Sequence, residues 1–240
     1  MRSKSFINWS GGKDSAFALR KAKKESGVFP ELLITNVNEK NGRVSMHGVR
    51  KELIISQSEA LNIPLQIIEL PEQPSMEVYE QVTLEKMQQL KSEFFDTAFF
   101  GDIFLKDLRD YRENQLTKAG IQCVFPLWMH NTASLMQEFI SSGFKAIVIC
   151  VNENYLDKSF CGRIIDQQFL SDLPVNVDPA GENGEYHSFV FDGPDFKQPV
   201  EFKKGNLVFR NYPTPKREGD NCFSGAAIMQ EQFCFLDLLP

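Results

Sequence analysis

"NWSGGKDS", residues 8–15, sets two adjacent glycines, a lysine, an aspartate and two serines between an apolar run and a helical pattern. Upstream, Ser5 to Trp9 reads as a short buried strand; downstream, Asp14 to Glu25 reads as a helix with Phe17, Leu19 and Ala22 mostly on one side. Lys21, Lys23 and Lys24 crowd the end of that helix and Gly27 follows, which suits the negative end of the helix dipole and a left-handed stop. The stretch is therefore strand, glycine loop, helix.

The same alternation continues outward. Strands are expected at "ELLITNV" (31–37), "PLQIIEL" (64–70), "DTAFFGD" (96–102), "QCVFPL" (122–127) and "AIVICV" (146–151). Helices are expected within 49–62, from Ser75 to about Glu93 with a buried stripe of Val78, Val82, Leu90 and Phe94, over 107–118 and over 132–142. Strands and helices alternating at this spacing build βαβ units, hence an α/β fold with a doubly wound, mostly parallel sheet whose ligands lie at the carboxyl ends of the strands. Beyond about residue 151 the pattern changes to short strands such as "ENGEYHSFVFDGPDF" and "VEFKKGNLVFRNY", with Lys204-Gly205-Asn206 read as a hairpin turn. Two domains are expected, a nucleotide-binding one over 1–125 and a smaller α+β substrate domain over 126–240. "PTPKREGDNC" (213–222) is read as a mobile loop.

The chain's 240 residues, 42% hydrophobic and 24% charged, can bury a proper core. A net charge of −6 disfavours a nucleic-acid partner, because phosphate contacts need clustered Lys and Arg. Five widely spaced cysteines without a C-x-x-C suggest neither a disulfide framework nor a zinc site and fit the cytoplasm. With no apolar leader and no apolar run approaching about eighteen residues, a protein without membrane contact is expected.

Phosphate loops come in kinds. A P-loop needs G-x-x-x-x-G-K-[ST], but Ile7 lies five before Gly12 and Asp14 follows Lys13; G-x-G-x-x-G is absent too. A tight strand-to-helix turn with a serine cap is the plain alternative. Against it stands the combination: Gly11 and Gly12 let backbone N–H groups approach an anion, the helix offers its positive end, and Ser10, Lys13 and Ser15 add donors and charge. This is a pyrophosphate cradle.

These residues resemble the S-G-G-x-D-S PP-loop of the ATP pyrophosphatase superfamily, whose members cleave ATP between the α- and β-phosphates to adenylate an oxygen that a nitrogen or sulfur nucleophile then displaces. Further blocks, "MHGVR" (46–50), "GDI" (101–103), "PLW" (126–128), Gly162-Arg163 and "DPAGENGEYHSFV" (178–190), resemble those of the diphthine–ammonia ligase family over most of residues 4–200. The resemblance implies an AMP-forming carbon–nitrogen ligase: ATP with Mg²⁺ activates a small-molecule or protein carboxylate, and ammonia or an amine displaces AMP. Ammonia would come from solution or a partner, since no glutaminase nucleophile is apparent; a homodimer is left open.

By the same resemblance, Ser10 to Ser15 with Gly101 hold the nucleotide, and backbone groups of Thr35, Asn36 and Val37 hold the adenine. Asp14 and Asp102 are the candidate Mg²⁺ ligands. Lys13, Asp14, Asp102, Glu182, Glu185 and His187 form the candidate catalytic set. His47, Arg50, Arg163 and Asn183 are candidates for binding the acceptor, the arginines because their fork suits carboxylate and phosphate alike. The family pattern G-E-G-G-E-[FY]-E-[ST] has a glycine and a glutamate where this chain has Asn183 and His187. An imidazole titrating near neutrality in place of a carboxylate would admit a different acceptor. Two other readings stay open: an RNA-modifying PP-loop enzyme, which would need a basic face and paired cysteines, and a nucleotide-binding regulator without turnover.

Overall fold

A computed structural model describes residues 2–45, 47–72, 74–213 and 230–240. The loop expected at 213–222 lies, from residue 214 onward, outside them.

The first half is a parallel sheet built as the alternation requires. Strands β1 (Lys4–Asn8), β2 (Leu32–Asn38), β4 (Leu65–Leu70), β5 (Phe95–Phe99) and β6 (Gln122–Val124) run in the spatial order β4-β2-β1-β5-β6, all parallel. The two-residue β3 (Arg43–Val44) pairs antiparallel to the end of β2, beyond the point where β1 stops. The order reverses between β1 and β5, so the crevice at their carboxyl ends is where such a sheet binds ligands.

Helix α1 (Lys13–Lys21) continues as one π turn, Ala22–Ser26, and stops at Gly27 with φ +64°, close to the stop that the sequence suggests. With α2 (Lys51–Leu61) it covers one face of the sheet, where Ile7, Leu19, Leu33, Leu53 and Ile54 are buried. Helices α3 (Met76–Ser92) and α4 (Lys106–Lys118) cover the other, over Phe6, Ile34, Ile68 and Ala98. Phe6 and Ile7 point to opposite faces, as strand period 2 demands. On α3 the buried residues are Met87 and Leu90 with Val82 partly covered; Val78 and Phe94, expected in the same stripe, are exposed. Phe94 has left the helix, at φ +70°, before β5 begins.

After α5 (Thr132–Ser141) the chain enters a second sheet in the order β8-β7-β10-β9, antiparallel throughout: β7 (Lys145–Asn152), β8 (Tyr186–Asp192), β9 (Lys203–Pro213) and β10 (Gln230–Leu239). The short helix α6 (Gln167–Asp172) lies between β7 and β8 in sequence. Two expectations are corrected here. "AIVICV" is not a sixth strand of the parallel sheet but the buried β7 of the antiparallel one. A run buried on both faces looks the same in either sheet. Lys204-Gly205-Asn206 is not a hairpin turn: β9 runs straight through it, and the pairing with β10 shifts register around Asp237. The glycine marks a bulge, the other common reason for one within a strand pattern.

The two sheets share their core. One apolar cluster runs from Ile7, Phe17 and Leu53 to Phe139, Ile147 and Phe189. Ion pairs add to the junction: Asp237 of β10 accepts from Arg43 and Arg50, Asp195 pairs with Arg20 and Lys23, and Glu138 of α5 with Lys21. No helix among the described residues is long and apolar enough to cross a membrane.

At the switch point the backbone after β5 presses on the start of α1. A Cβ built on Gly101 would lie 2.8 Å from the carbonyl carbon and 2.9 Å from the carbonyl oxygen of Asp14. Those neighbours are backbone and cannot rotate away. Gly101→Ala is therefore expected to destabilise the protein by about 2 kcal/mol, the typical cost of overpacking, measured by urea denaturation.

Candidate functional site

The loop between β1 and α1 is held from two sides. Gly11, at φ +79°, turns its carbonyl toward α2 and β8, where it accepts from Gln57 Nε2 at 3.0 Å and from the Val190 N–H at 2.9 Å. Gln57 is fully buried and uses its amide completely: Nε2 also donates to Val190 O at 2.6 Å, and Oε1 accepts from Trp9 Nε1 at 2.8 Å. A side chain on Gly11 would strike Ile54 Cδ1 at 2.6 Å. One residue on, the Lys13 N–H at the helix start donates to Ser188 Oγ at 3.1 Å. Ser10 Oγ accepts from the Gly12 N–H at 3.3 Å and meets Ser15 Oγ, which donates to Gly12 O at 2.9 Å. The loop thus lies along the edge of β8, and the second sheet completes its conformation.

Charge is dense where the loop faces the crevice. Lys13 is buried; its Nζ contacts both oxygens of Asp14 at 2.8 Å and stands 5.3 Å over the Tyr186 ring. Burial raises Asp14 above the ordinary carboxylate range, Asp102 and Asp178 adding to it while Lys13 opposes. Glu182 accepts from the Ile103 N–H at 2.8 Å and is pushed up to about 7 by burial, then by Asp14 and Asp102. Asp102, almost fully buried, stands 2.9 Å from Arg112 Nε, out of hydrogen-bond alignment, so that its Oδ2 is buried without a hydrogen bond. These carboxylates crowd together where an anionic ligand would sit.

That crowding suits a divalent cation. Asp14 and Asp102 supply hard oxygen donors, and Asp102 Oδ2 has unmet capacity. Among the described residues no three His, Cys, Asp or Glu side chains are grouped to hold a metal by themselves. Mg²⁺ is commonly held by one or two carboxylates plus phosphate oxygens, so the pair fits an ion that arrives with a nucleotide.

Of the other residues singled out from the sequence, His47 and His187 are brought together over the loop. Their ring centroids lie 4.5 Å apart with the planes tilted by 38°, and His47 Cε1 lies 3.4 Å from where a Gly12 Cβ would stand. His47 Nδ1 is buried with no hydrogen-bond partner among the described residues. Burial, then His187 and Lys13, hold His47 well below its ordinary 6.5; burial, then Lys13, lower His187 to about 4. The expectation that His187 titrates near neutrality is overturned, because the ring is desolvated beside a buried cation. Asn183 lies on the same side, with its N–H on Glu185 Oε2 at 2.9 Å. Glu185 is buried, and its oxygens are spent inside the 178–185 loop, on the N–H groups of Asp178 and Asn183 and on Asn183 Nδ2.

The two arginine candidates are engaged in ion pairs away from the loop. Arg50 is clamped on Asp237 at 2.6 and 3.1 Å. Arg163 pairs with Asp172 at 2.7 Å and stands 5.0 Å over Phe160. Thr35 Oγ1 donates to Trp9 O, Val37 is core, and the Asn36 carbonyl already accepts from the Ser45 N–H of the β2–β3 turn.

Gln57, Ser188, Asp178 and Arg112 were not among the candidates. Gln57 carries a legible signal: it falls on the apolar stripe of α2, with Leu53 four residues before it and Leu61 four after, where a polar side chain needs a buried partner. Ser188 stands in the [ST] place of the family pattern, yet its partner is 175 residues away. No local pattern reports that contact.

Comparison with known proteins places these features. A family model described as the diphthamide synthase N-terminal domain matches residues 3–123, and one described as the diphthamide synthase C-terminal domain matches 131–212. The chain is 36% identical over 110 residues to a diphthine–ammonia ligase of Bos taurus, covering 42% of this chain and 41% of that protein. It is 32% identical over 113 residues to the Homo sapiens protein of that name, covering 43% and 42%, and 29% identical over 140 residues to that of Mus musculus, covering 56% and 51%. The matched part is thus about half or less of each relative's length.

Two measurements test the site's construction. Gln57→Leu strands the Trp9 N–H and leaves the Val190 carbonyl without its donor, so a loss of about 3 kcal/mol is expected in urea denaturation. For the histidines, the folded-state value lies below the unfolded one, so the unfolded chain binds more protons between the two. Their contribution is complete above about pH 6.5 and is lost progressively toward pH 4, while Glu182, raised to about 7, works in the opposite direction over the same range. His187→Asn should flatten part of that slope; an unchanged slope would place the ring in water.

Proposed function

The chain belongs to the diphthamide synthase family, and on that premise we propose that it is an ATP-dependent ligase that adenylates a carboxylate, releases pyrophosphate and forms an amide with ammonia or an amine. The observation that carries this reading is the meeting of two features at His47 and His187. On one side lies the loop at the start of α1; on the other opens a cavity of about 740 Å³ between the 38–49 segment and the second sheet. An acceptor in that cavity and a triphosphate on the loop would face each other across the histidine pair.

The steps follow from the residues. ATP, the co-substrate, lays its phosphates on the loop and the positive end of α1. An acceptor carboxylate oxygen attacks the α-phosphorus, the bond to the bridging oxygen of the β-phosphate breaks, and pyrophosphate leaves with the electron pair. Lys13, released from Asp14, follows the charge that builds on the leaving group, the preorganised electrostatics on which such transfers depend. Mg²⁺, when bound at Asp14 and Asp102, neutralises phosphate charge. Ammonia then attacks the acyl carbon, AMP departs with its oxygen, and the nitrogen's surplus proton is lost to solvent. The neutral imidazoles of His47 and His187 hold the acceptor carboxylate by hydrogen bonds without competing for it as cations. Glu182, raised toward neutrality, ties the loop after β5 to the second sheet beside the reacting groups. Glu185 acts by shaping the 178–185 loop. Diphthine, from which the relatives take their name, is one acceptor to test; Asn183 and His187 are where this chain's acceptor strip differs from the family pattern.

The test is pyrophosphate release with ATP, Mg²⁺, ammonium and a panel of carboxylates that includes diphthine on its carrier protein. Release should require all components, with AMP formed in equal amount. Lys13→Ala should lower kcat by about a hundredfold or more, as expected for removing a donor to a developing charge. Release that is indifferent to Lys13→Ala, or ADP as the product, would refute the reading.

A further inference from the structure

The wall of the cavity opposite the 38–49 segment is one face of the second sheet, and its register orders the side chains along it. His187 of β8 pairs with Cys150 of β7, Cys150 with Phe235 of β10, and Phe235 with Val208 of β9. Directly paired residues share a face, so these four form a continuous row across the sheet. A second row, Asn152, Phe233 and Arg210, runs beside it. All seven line the cavity. Three strand spacings of ~4.8 Å make the first row about 14 Å long from the histidine to Val208.

The row is polar at one end only. His187 packs at a tilt against His47, whose buried Nδ1 has no hydrogen-bond partner among the described residues, beside the phosphate loop. From there the surface is thiol, aromatic ring and branched aliphatic. Phe235 and Phe233 are half-buried, and Val208 is 42% exposed. A short acid such as acetate would meet the histidines and leave the rest of the row bare, whereas a cavity of this volume is the size that encloses an extended ligand.

We propose that the acceptor is a carboxylic acid with an extended apolar or aromatic body, lying across the second sheet with its carboxyl group at His47 and His187 and its body over Cys150, Phe235 and Val208. The proposal rests on the ligase reading for the chemistry but not for the binding. The body supplies the affinity by burying carbon against the row, and the unpartnered His47 nitrogen fixes the end that reacts. Length and apolarity of the body over this row then decide which acids are used, although Arg43, Arg210, Glu231 and Asp237 also line the cavity.

The experiment compares acetate, hexanoate, decanoate and 4-biphenylacetate as acceptors with the full chain, ATP, Mg²⁺ and ammonium, reading pyrophosphate. kcat/KM should rise by about tenfold or more from acetate to the two long acids. Val208→Asp, at a position exposed enough to tolerate the change, should lower the long-to-short ratio by about tenfold, and Phe233→Ala should lower it in the same direction. A flat series, or a ratio that both substitutions leave unchanged, overturns the proposal. If none of the four acids supports pyrophosphate release, equilibrium dialysis of 4-biphenylacetate decides the site by itself. Saturable binding that Val208→Asp weakens sustains the proposal; absence of saturable binding overturns it.

Discussion

The carbonyl of Gly11 accepts two hydrogen bonds, one from the side chain of Gln57 and one from the backbone of Val190, and the rest of the site depends on that shared acceptor. A glycine loop by itself is the most permissive backbone a chain can have, and permissive backbone does not hold donors in place. Here the permissiveness is used once, to reach φ +79°, and then removed by partners on both sides. Because Gln57 sits in α2, which covers the first sheet, and Val190 in β8 of the second, fixing the loop and joining the two halves are one interaction. Ser188, two residues before Val190, extends the joint to the first N–H of α1.

Electrostatics follow from that closure. Bringing β8 and its preceding loop against the PP-loop buries Lys13 and sets Glu182 and Asp178 near Asp14 and Asp102. With Lys13 and Arg112 against four carboxylates, the crevice is short of positive charge; Asp14 and Glu182 rise toward protonation, while the histidines beside Lys13 are held neutral. Desolvation is the leading cause in every case, so packing sets the charge state. The crevice favours a ligand that brings its own cation, and the histidine pair favours one that hydrogen-bonds to neutral nitrogen.

Much of the first half could be read along the chain. Every parallel strand from Lys4 to Val124 coincides with an apolar run between turn residues, and each intervening helix with a 3.6-residue pattern, because these signals are local. The errors fall where neighbours decide. Val78 looks like part of a core stripe until α3 is seen to face solvent at its start, and "AIVICV" continues the alternation perfectly while belonging to another sheet. Gly205 makes a turn or a bulge depending on whether the strand it interrupts has a partner to bulge against.

The site divides in the same way. Residues 8–15 alone carry the strand, glycine loop and helix start, and their resemblance to a PP-loop, since backbone conformation and helix polarity are encoded within a few residues. The tertiary structure decided which side chains surround it. Arg50 and Arg163, plausible anion ligands by type, are bound to Asp237 and Asp172, whereas Gln57 and Ser188, unremarkable by type, hold the loop. Hydrogen bonds and ion pairs between residues far apart in the chain depend on how two sheets dock. So do the desolvation of His47 and His187 and the cavity beyond them, and no stretch of sequence contains that docking.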